Sequence, residues 1–347
     1  MILFKQKKTL AGALLMDKKL FEKYSVIDKI KFNTNDFKDK VSQKLEPVPV
    51  IGKAIRKIRR NPTHFGNMPI LSPEEGKKII VNAIESGKPF MAGRFGTTEG
   101  LAMMNGMKTY FRHGDDYSKF PQKHLDVLCS NAGFFPNDKK LAWKWVETEM
   151  KACEWVDLLG IMHFTNESWI CQNLCPLATL TPNGALGSAQ SHWTHALEGK
   201  KVLVVHPFTD TIKKQYTEKR EKIFPGYNTL PEFDLKCVKA VQTIADSKDS
   251  RFKTWFDALD YMTEEIAKQD FDVCMLGCGA YGFPLAARVK QMGKIAVHMG
   301  GCLQTTFGIR GSRWDNKFSY WYNDAWVRPS EDEKPEGFNK IEGGCYW

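Results

Sequence analysis

Long apolar runs are missing from this sequence of 347 residues. Nothing in it approaches the roughly 18 consecutive apolar residues that indicate a membrane-spanning helix. The apolar patch over residues 9–16 is short for the core of a secretory signal, and Asp17, Lys18 and Lys19 follow it where a small-residue cleavage site would stand. The sequence therefore predicts neither a transmembrane span nor a secretory leader.

A disulfide framework is missing as well. The nine cysteines are an odd number in a long chain, no CxxC pair occurs, and several cysteines fall in predicted buried strands. This usage is typical of a reducing compartment, so we expect a cytoplasmic protein. The signatures GxSxG, HExxH and Walker A are also absent, and nothing indicates a covalent nucleophile with an attendant base.

Most of the chain has no net charge, although the whole sequence carries a formal charge of +10. Residues 1–60 hold 16 Lys and Arg against 6 Asp and Glu, whereas the rest of the chain holds 34 of each sign. Within the basic segment, 51-IGKAIRKIRR-60 sets apolar residues at helical spacing between Lys and Arg. Such a helix suits an anionic membrane surface, and the alternative is a solvated helix that packs on the body by one face. Because the body has no net positive charge and no binding motif, we expect no nucleic-acid partner.

What the sequence does contain, after Pro62, is an alternation of helices and short apolar strands. Strand patterns cover residues 89–94, 156–164, 201–208, 234–241, 271–279 and 294–301, and helix patterns cover 72–87, 141–155, 188–198, 250–268 and 283–292. Nearly all-apolar strands that alternate with helices predict an α/β fold, a mostly parallel Rossmann-like sheet with helices on both faces. We divide the chain into a basic N-terminal helical extension (1–61), this α/β domain (62–314) and a C-terminal tail that wraps the body (315–347).

Five turns of the sequence are expected to meet at one edge of the sheet. Parallel sheets bind ligands at the carboxyl ends of their strands, and that rule selects the turns after the predicted strands. They are Arg94–Glu99, His163–Asn166, His206–Asp210, Gly277–Gly282 and His298–Gln304.

One of these turns, Gly277-Cys-Gly279-Ala-Tyr281-Gly282, matches GxGxxG between a strand and a helix. Glycines let a backbone approach a phosphate closely, and the N-terminus of the following helix favours negative charge. A dinucleotide is disfavoured, because the next strand, residues 294–301, ends without the acidic residue that binds a ribose hydroxyl. The turn therefore indicates either phosphate approach by another nucleotide or a tight turn that packs its helix on the sheet.

The last predicted strand runs into His298, and a segment rich in glycine, polar residues and arginine follows it. Gly300 directly follows the strand end, and Gln304 is placed to hydrogen-bond a sugar or a base. Arg310 and Arg313 are suited to pair with phosphate oxygens. We favour a ligand-binding segment over an irregular loop that merely covers the sheet.

Two further segments supply candidate acids and substrate contacts. His206 ends a strand, and Thr209 and Asp210 are predicted to start a helix whose backbone N–H groups can hold an anion. Asp210 is equally well explained as a plain helix cap. Asp115, in a loop, is a candidate general base, although exposed loop carboxylates are more often only solvated.

The first turn, Arg94-Phe-Gly96-Thr97-Thr-Glu99, resembles the arginine–glycine–aspartate–glycine–glutamate turn of the GT-D type glycosyltransferases, which act in bacterial surface-polysaccharide synthesis. The later unit over residues 272–301 is similar to the second half of that family. The whole run through the segment ending at Trp314 also looks like polysaccharide-locus proteins of bacteria and large viruses.

The resemblance implies a glycosyltransferase that moves a sugar from a nucleotide-diphosphate sugar onto a glycan acceptor. The family's turn holds a divalent metal with an acid-x-acid pair, which falls here on Thr97 and Glu99. Because Thr97 supplies no anionic oxygen, Mn²⁺ or Mg²⁺ would have to be held by Glu99, waters and the diphosphate. The alternative is that Arg94, Arg310, Arg313 and helix N-termini stabilise the diphosphate directly.

The site expected from the sequence is then as follows. Catalytic candidates are Glu99, Asp115 and Asp210; donor-binding candidates are Arg94, Gly96, Thr97, Gly277, Gly279, Tyr281, His298, Gly300, Gln304, Arg310 and Arg313; substrate candidates are His206 and Thr209. Two other functions remain open. One is an NAD(P)- or flavin-dependent oxidoreductase that uses the GxGxxG turn, and the other is a non-catalytic protein with a degenerate transferase fold.

Overall fold

A computed structural model describes residues 22, 24–34, 62–187, 193–244, 249–340 and 343–347. The helix predicted over residues 51–60 and the first part of the helix predicted over 188–198 lie outside the described residues. In the described part, the strands are β1 His64–Phe65, β2 Met68–Pro69, β3 Phe90–Arg94, β4 Leu158–Ile161, β5 Thr179–Pro182, β6 Lys201–His206, β7 Asp234–Lys239, β8 Val273–Leu276 and β9 Ile295–His298. From residue 62 onward the α-helices are α1 Pro73–Ser86, α2 Thr97–His113, α3 Gln122–Ala132, α4 Lys139–Cys153, α5 Glu167–Leu174, α6 Thr209–Ile223, α7 Trp255–Ala267, α8 Gly282–Gln291, α9 Leu303–Thr306 and α10 Ser312–Phe318.

Seven strands form one sheet in the order β5-β4-β3-β9-β8-β6-β7, and every neighbouring pair is parallel. The predicted Rossmann-like α/β fold is confirmed. From β3 the chain builds outward through β4 and β5, and the later strands fill the other half of the sheet. The strand order therefore reverses between β3 and β9, and such a reversal opens a crevice at the carboxyl edge.

The central strands are buried on both faces of the sheet. In β8, Cys274 and Leu276 belong to one hydrophobic core, whereas Val273 and Met275 belong to the other. Side chains alternate in direction along a strand, so a strand between two cores needs apolar residues at every position. This explains the unbroken apolar runs that mark the strands in the sequence.

Capping residues fix where the helices begin. Ser72 and Glu75 form the predicted capping box at the start of α1. The seventh helix begins later than the predicted residue 250, because Thr254 and Asp257 form a second capping box there. Each box satisfies backbone N–H groups that have no partner within the first helical turn.

Seven elements have no counterpart among the predicted ones: the helices α3, α5, α9 and α10 and the strands β1, β2 and β5. The fifth strand is the four-residue run Thr179–Pro182, which lies at an edge of the sheet and ends in a proline, so its sequence is that of a turn. Of the helix predicted over residues 188–198, the described part is a 3₁₀ segment, Trp193–Leu197.

The tail beyond Trp314 packs on the body. Ala325, Trp326 and Trp347 bury their side chains in one of the two cores. Gln215 of α6 donates its Nε2 to the carbonyl oxygen of Ala325 at 2.8 Å. The tail is therefore part of the packing on that face of the sheet.

Ahead of the α/β domain, residues 26–34 form a helix. Its Phe32 is fully buried and packs edge-to-face on Trp169 of α5. The same helix exposes three apolar side chains, Val26, Ile27 and Ile30. Within the described part of the chain, none of the helices has the length and apolar character that crossing a membrane requires.

Candidate functional site

A cavity of about 530 Å³ lies at the carboxyl edge of the sheet. The ends of β3, β6, β8 and β9 contribute to it, together with residues 240–244 after β7 and residues near the end of the tail. Four of the five turns selected from the sequence therefore meet here, at the reversal of strand order. From the turn after β4, Met162 reaches the lining, one residue before the predicted segment His163–Asn166.

Arg94 is the last residue of β3 and reaches across to the turn after β9. Its Nη1 donates to the carbonyl oxygen of Phe95 at 3.2 Å, and its Nε lies 3.4 Å from the carbonyl oxygen of Met299. Gly300 has φ of 62°, and a Cβ placed there would lie 1.8 Å from Arg94 Nη2. Glycine is therefore required beside the arginine, both for its backbone conformation and for space.

Glu99 lies in the first turn of α2 and faces the same cavity. Gly96, the cap residue of this helix, offers no side-chain hydrogen bond, and a Cβ there would lie 1.8 Å from Glu99 Oε2. The carboxylate thus folds back over Gly96. Burial raises the pKa of Glu99, against the lowering effects of its own backbone N–H and of Arg94 and Arg313.

Glu149 of α4 is a second buried carboxyl group behind this position. It is only 2% exposed, and its Oε1 has no hydrogen-bond partner among the described residues. Burial raises the pKa of Glu149 well above its usual value, and repulsion from Glu99 adds to the rise. The buried position of Glu149 in an apolar helix pattern hid it from sequence reasoning.

The charged lining of the cavity is mainly cationic. Among the lining side chains, Arg94, Arg313 and Lys317 are cationic and Glu99 alone carries a carboxylate. Lys317 of α10 was not among the residues predicted from the sequence. An excess of cations in a partly enclosed space favours an anionic ligand, and arginine matches phosphate geometry especially well.

His206, at the end of β6, presents a hydrogen-bond donor to the cavity. Its Nδ1 accepts from the backbone N–H of Phe208 at 3.0 Å, so the ring hydrogen lies on Nε2. Burial lowers the pKa of His206 to about 3, which keeps the ring neutral at physiological pH. The predicted substrate contact at His206 is therefore suited to an oxygen acceptor of a ligand.

His298, at the end of β9, is held more tightly by the protein. A Cβ on Gly282 would lie 2.3 Å from its Nε2, so the ring fills the space that the glycine leaves. Burial, and then Arg94, lower the pKa of His298 to about 3. The ring thus forms a neutral part of the cavity floor beneath Arg94.

The glycines of the GxGxxG turn are needed for contacts within the protein. A Cβ on Gly277 would lie 2.7 Å from the carbonyl oxygen of Gly300, and one on Gly279, whose φ is 56°, would lie 2.8 Å from that of Ala132. Tyr281 stacks on Trp255 with ring centroids 5.0 Å apart. Gly277 and Gly279 thus allow close packing against the turn after β9 and against α3, and the same turn lines the cavity, so both interpretations of it stay open.

Gln304 lines the cavity but is also used internally. It is fully buried, and its Nε2 donates to the carbonyl oxygen of Tyr346 at 2.9 Å and to that of Arg310 at 3.1 Å. The Arg310 side chain lies outside the cavity lining, where its guanidinium stacks on Tyr322 and donates to the carbonyl oxygen of Asn323. The structure therefore does not bring Arg310 to the cavity.

The N-terminus of α6, predicted to hold a ligand anion, is occupied by the protein's own Glu333. The Glu333 carboxylate accepts from the backbone N–H of Asp210 at 2.8 Å and from Thr211. The Asp210 side chain faces away and lies 3.6 Å from Lys239. Neither Asp210 nor the buried Thr209 lines the cavity. The anion site at the start of α6 is instead filled by Glu333 of the tail.

Asp115 is placed far from the cavity. It follows the C-terminal end of α2, whereas the N-terminal end of that helix carries Glu99. A helix of 17 residues is about 25 Å long, so the two carboxylates lie at opposite ends. The structure does not join Asp115 to the candidate site.

Several lining residues were missed because they lie in the tail or after an edge strand. Tyr346 accepts a hydrogen bond from Arg313 Nη1 at 3.0 Å, and the guanidinium lies 4.7 Å from the centre of the tyrosine ring. Other missed lining residues are Gln242, Thr243 and Trp347. The aromatic composition of the tail predicts packing on the body but gives no sign of a contact with the cavity.

The side chains of this cavity do not by themselves form a complete divalent-metal site. Among the described residues, no group of three or more His, Cys, Asp or Glu side chains could hold a metal ion. Near Glu99 the lining offers only the hydroxyl groups of Thr97 and Thr98 as further side-chain oxygens on the same helix turn. Mg²⁺ is commonly held by one or two carboxylates together with waters and substrate phosphates, so Glu99 supplies only part of such a site.

Comparisons of the chain with models of known protein families, with curated proteins and with solved structures gave no match. The chemistry of the cavity is therefore interpreted from its own residues: three cations, one carboxylate of raised pKa and a neutral histidine donor.

Proposed function

We propose that the protein is a glycosyltransferase that moves a sugar from a nucleotide-diphosphate sugar onto a glycan acceptor, in the synthesis of a surface polysaccharide or a glycoprotein glycan. The observation that carries the proposal is the cation excess in a cavity of about 530 Å³ at the carboxyl edge of a Rossmann-like sheet. A cavity of this volume suits a ligand of nucleotide-sugar size. The resemblance of the 94–99 turn to the GT-D type glycosyltransferases adds to it.

In the proposed reaction the cations stabilise the leaving group. An acceptor hydroxyl oxygen bonds to the anomeric carbon of the sugar, and the bond from that carbon to the diphosphate oxygen breaks. The diphosphate leaves with the electron pair, and Arg94, Arg313 and Lys317 balance its charge. Glu99 takes the hydroxyl proton if the reaction inverts the anomeric centre. The Nε2–H group of His206 donates a hydrogen bond to an oxygen of the nucleotide sugar.

The proposal does not require a metal, because the cations can balance the diphosphate by themselves. The resembled family has two acidic residues in this turn. Here Glu99 is the only one of the two, because Thr97 stands at the other position. We therefore route no step through Mn²⁺ or Mg²⁺. The two rival functions make different predictions, since an oxidoreductase would bind NAD(P) or flavin and a degenerate transferase fold would not turn over any nucleotide sugar.

The first test is a calorimetric and thermal-shift screen of nucleoside diphosphates, nucleotide sugars, NAD(P) and flavins, each with Mn²⁺ or with EDTA. We expect a nucleoside diphosphate to bind, with affinities in Mn²⁺ and EDTA that agree within about threefold. Arg94→Ala should weaken that binding by about 10–100-fold, the typical effect of losing a hydrogen bond between charged groups.

Arg288→Ala is the matched control for this test. Arg288 pairs with Asp260 at 2.7 Å and does not line the cavity, so its removal should leave the dissociation constant unchanged. Binding of NAD(P) or flavin in place of nucleoside diphosphates would favour the oxidoreductase. A gain in affinity of more than about tenfold with Mn²⁺ would mean that a metal takes part.

We also propose that the basic N-terminal segment holds the enzyme at an anionic membrane surface. The support is the charge of residues 1–60, together with the exposed side chains of Val26, Ile27 and Ile30 beside Lys29 and Lys31. Apolar residues flanked by lysine are typical of helices that bind the membrane interface. This localisation would bring the cavity close to a lipid-linked or membrane-assembled glycan.

Full-length protein is therefore expected to sediment with vesicles that contain phosphatidylserine, and less so as salt is added. Changing Val26, Ile27 and Ile30 together to serine should weaken that association about tenfold or more, since three apolar side chains are withheld from the interface. Leu177→Ser is the control, because Leu177 is 93% exposed and lies outside this helix. Equal sedimentation of the triple variant and the wild type would remove this role for the helix.

A further inference from the structure

The last residues of the sequence, 343–347, form a strap along one wall of the cavity. The backbone N–H of Arg313 donates to the carbonyl oxygen of Cys345 at 3.0 Å, and that of Ser312 donates to Trp347 at 3.2 Å. Gln304 holds the carbonyl oxygen of Tyr346 from the other side. The strap is therefore fixed to the body by its backbone, on both sides of Tyr346.

Space for the Tyr346 ring is provided by Gly301. A Cβ on Gly301 would lie 2.4 Å from Tyr346 Cε1, so the ring packs directly on the backbone of the turn after β9. This is the turn whose Gly300 packs on Arg94. Gly300 thus leaves space for the side chain of Arg94, and Gly301 leaves space for that of Tyr346; both side chains line the cavity.

The tyrosine in turn holds Arg313. Its hydroxyl accepts from Arg313 Nη1 at 3.0 Å, while its ring lies under the guanidinium at 4.7 Å. These two contacts constrain both the direction and the plane of the guanidinium. Arginine side chains in general have many accessible rotamers, and binding a ligand restricts those that remain accessible.

We propose that Tyr346 is a positioning residue of the donor site, which holds the Arg313 guanidinium ready for the diphosphate. The inference rests on the proposed function, since it names the diphosphate as the group that Arg313 meets. Pre-ordering a cationic side chain strengthens binding because less conformational freedom is lost when the ligand arrives. Tyr346 itself acts only through Arg313 in this role.

A second arginine–tyrosine pair provides a matched control outside the cavity. The guanidinium of Arg310 lies 4.7 Å from the centre of the Tyr322 ring, the same distance as in the Arg313–Tyr346 pair. Neither Arg310 nor Tyr322 lines the cavity. The two pairs therefore share their stacking geometry but differ in access to a ligand.

The test measures the dissociation constants of inorganic pyrophosphate and of the tightest nucleoside diphosphate from the screen, by calorimetry on the full chain. Arg313→Ala should weaken both by about tenfold or more. We expect Tyr346→Ala to weaken both about three- to tenfold, and Tyr346→Phe, which keeps the ring, to weaken them less. Tyr322→Ala should leave both constants unchanged.

The double variant separates positioning from general destabilisation. If Tyr346 acts through Arg313, then adding Tyr346→Ala to Arg313→Ala should cause no further loss of affinity. Additive losses in the double variant, or wild-type affinity in Tyr346→Ala, would overturn the inference and leave the proposed function standing. If the wild-type chain binds neither probe, the proposed function and the inference both fail.

Discussion

For an inverting transfer, replacing Glu99 with glutamine is expected to lower the rate of sugar transfer by about 10²–10⁴-fold, the usual contribution of a general base. An amide of the same size cannot take the proton of the acceptor hydroxyl. Affinity for the nucleoside diphosphate should stay the same or rise, because a negative charge is removed next to Arg94 and Arg313. Initial rates at saturating donor and calorimetric binding constants measure the two effects separately.

The pH dependence of the rate gives an independent check on Glu99. A base must be ionised to act, so the rate falls as the pH drops through its pKa. Burial raises the pKa of Glu99 above its usual value near 4.5, so the acid limb should lie at higher pH than for an exposed glutamate. Residual activity of Glu99→Gln should lack this limb.

Asp210→Asn serves as the control for the glutamine substitution. Asp210 was a third catalytic candidate on sequence grounds, but its side chain is exposed near Lys239 and does not line the cavity. It should therefore retain the wild-type rate. Full activity of Glu99→Gln, or an equal loss in Asp210→Asn, would contradict the role assigned to Glu99.

Replacing Gly277 with alanine is expected to destabilise the fold by about 2–3 kcal/mol, in the range of overpacked cores. The new Cβ would lie 2.7 Å from the carbonyl oxygen of Gly300 and 2.9 Å from both His206 Cδ2 and Leu303 Cβ. The first of these atoms belongs to the backbone and cannot move aside as a flexible side chain can. Urea denaturation of the variant and the wild type gives the difference in free energy of unfolding.

Gly184→Ala is the matched substitution. Nothing lies within 4 Å of a Cβ at Gly184, so alanine should leave stability unchanged or raise it slightly by restricting the unfolded chain. A Gly277→Ala variant as stable as the wild type, but defective in ligand binding, would favour the interpretation of this turn as a phosphate-approach loop.

The sheet could be predicted from sequence because its strands lie between two cores. Every position of a strand such as β8 must be apolar, and that local requirement is visible without knowing the fold. The fifth strand escaped prediction because an edge position makes no such demand on Thr179–Pro182. Helix ends could be predicted where a cap such as Ser72 is local in the sequence.

The site could be predicted only where it depends on strand ends. The topology brings Arg94, Glu99, His206 and Gly300 to one edge, as the rule for parallel sheets implies. Whether a residue faces the cavity is decided by distant partners, which periodicity does not reveal. Glu333 fills the anion site at the start of α6 from 122 residues away in sequence, and nothing near Thr211 indicates this.

The distance along the chain between the two sides of the cavity has a consequence for biosynthesis. Arg94 and Glu99 are synthesised early, whereas Tyr346 lies in the strap that closes the opposite wall. At ordinary translation rates, roughly 10–50 s separate the two sides during synthesis. A nascent chain therefore carries Arg94 for that time before Arg313 and its tyrosine support exist. Full affinity for the donor should accordingly develop only after translation has passed residue 346.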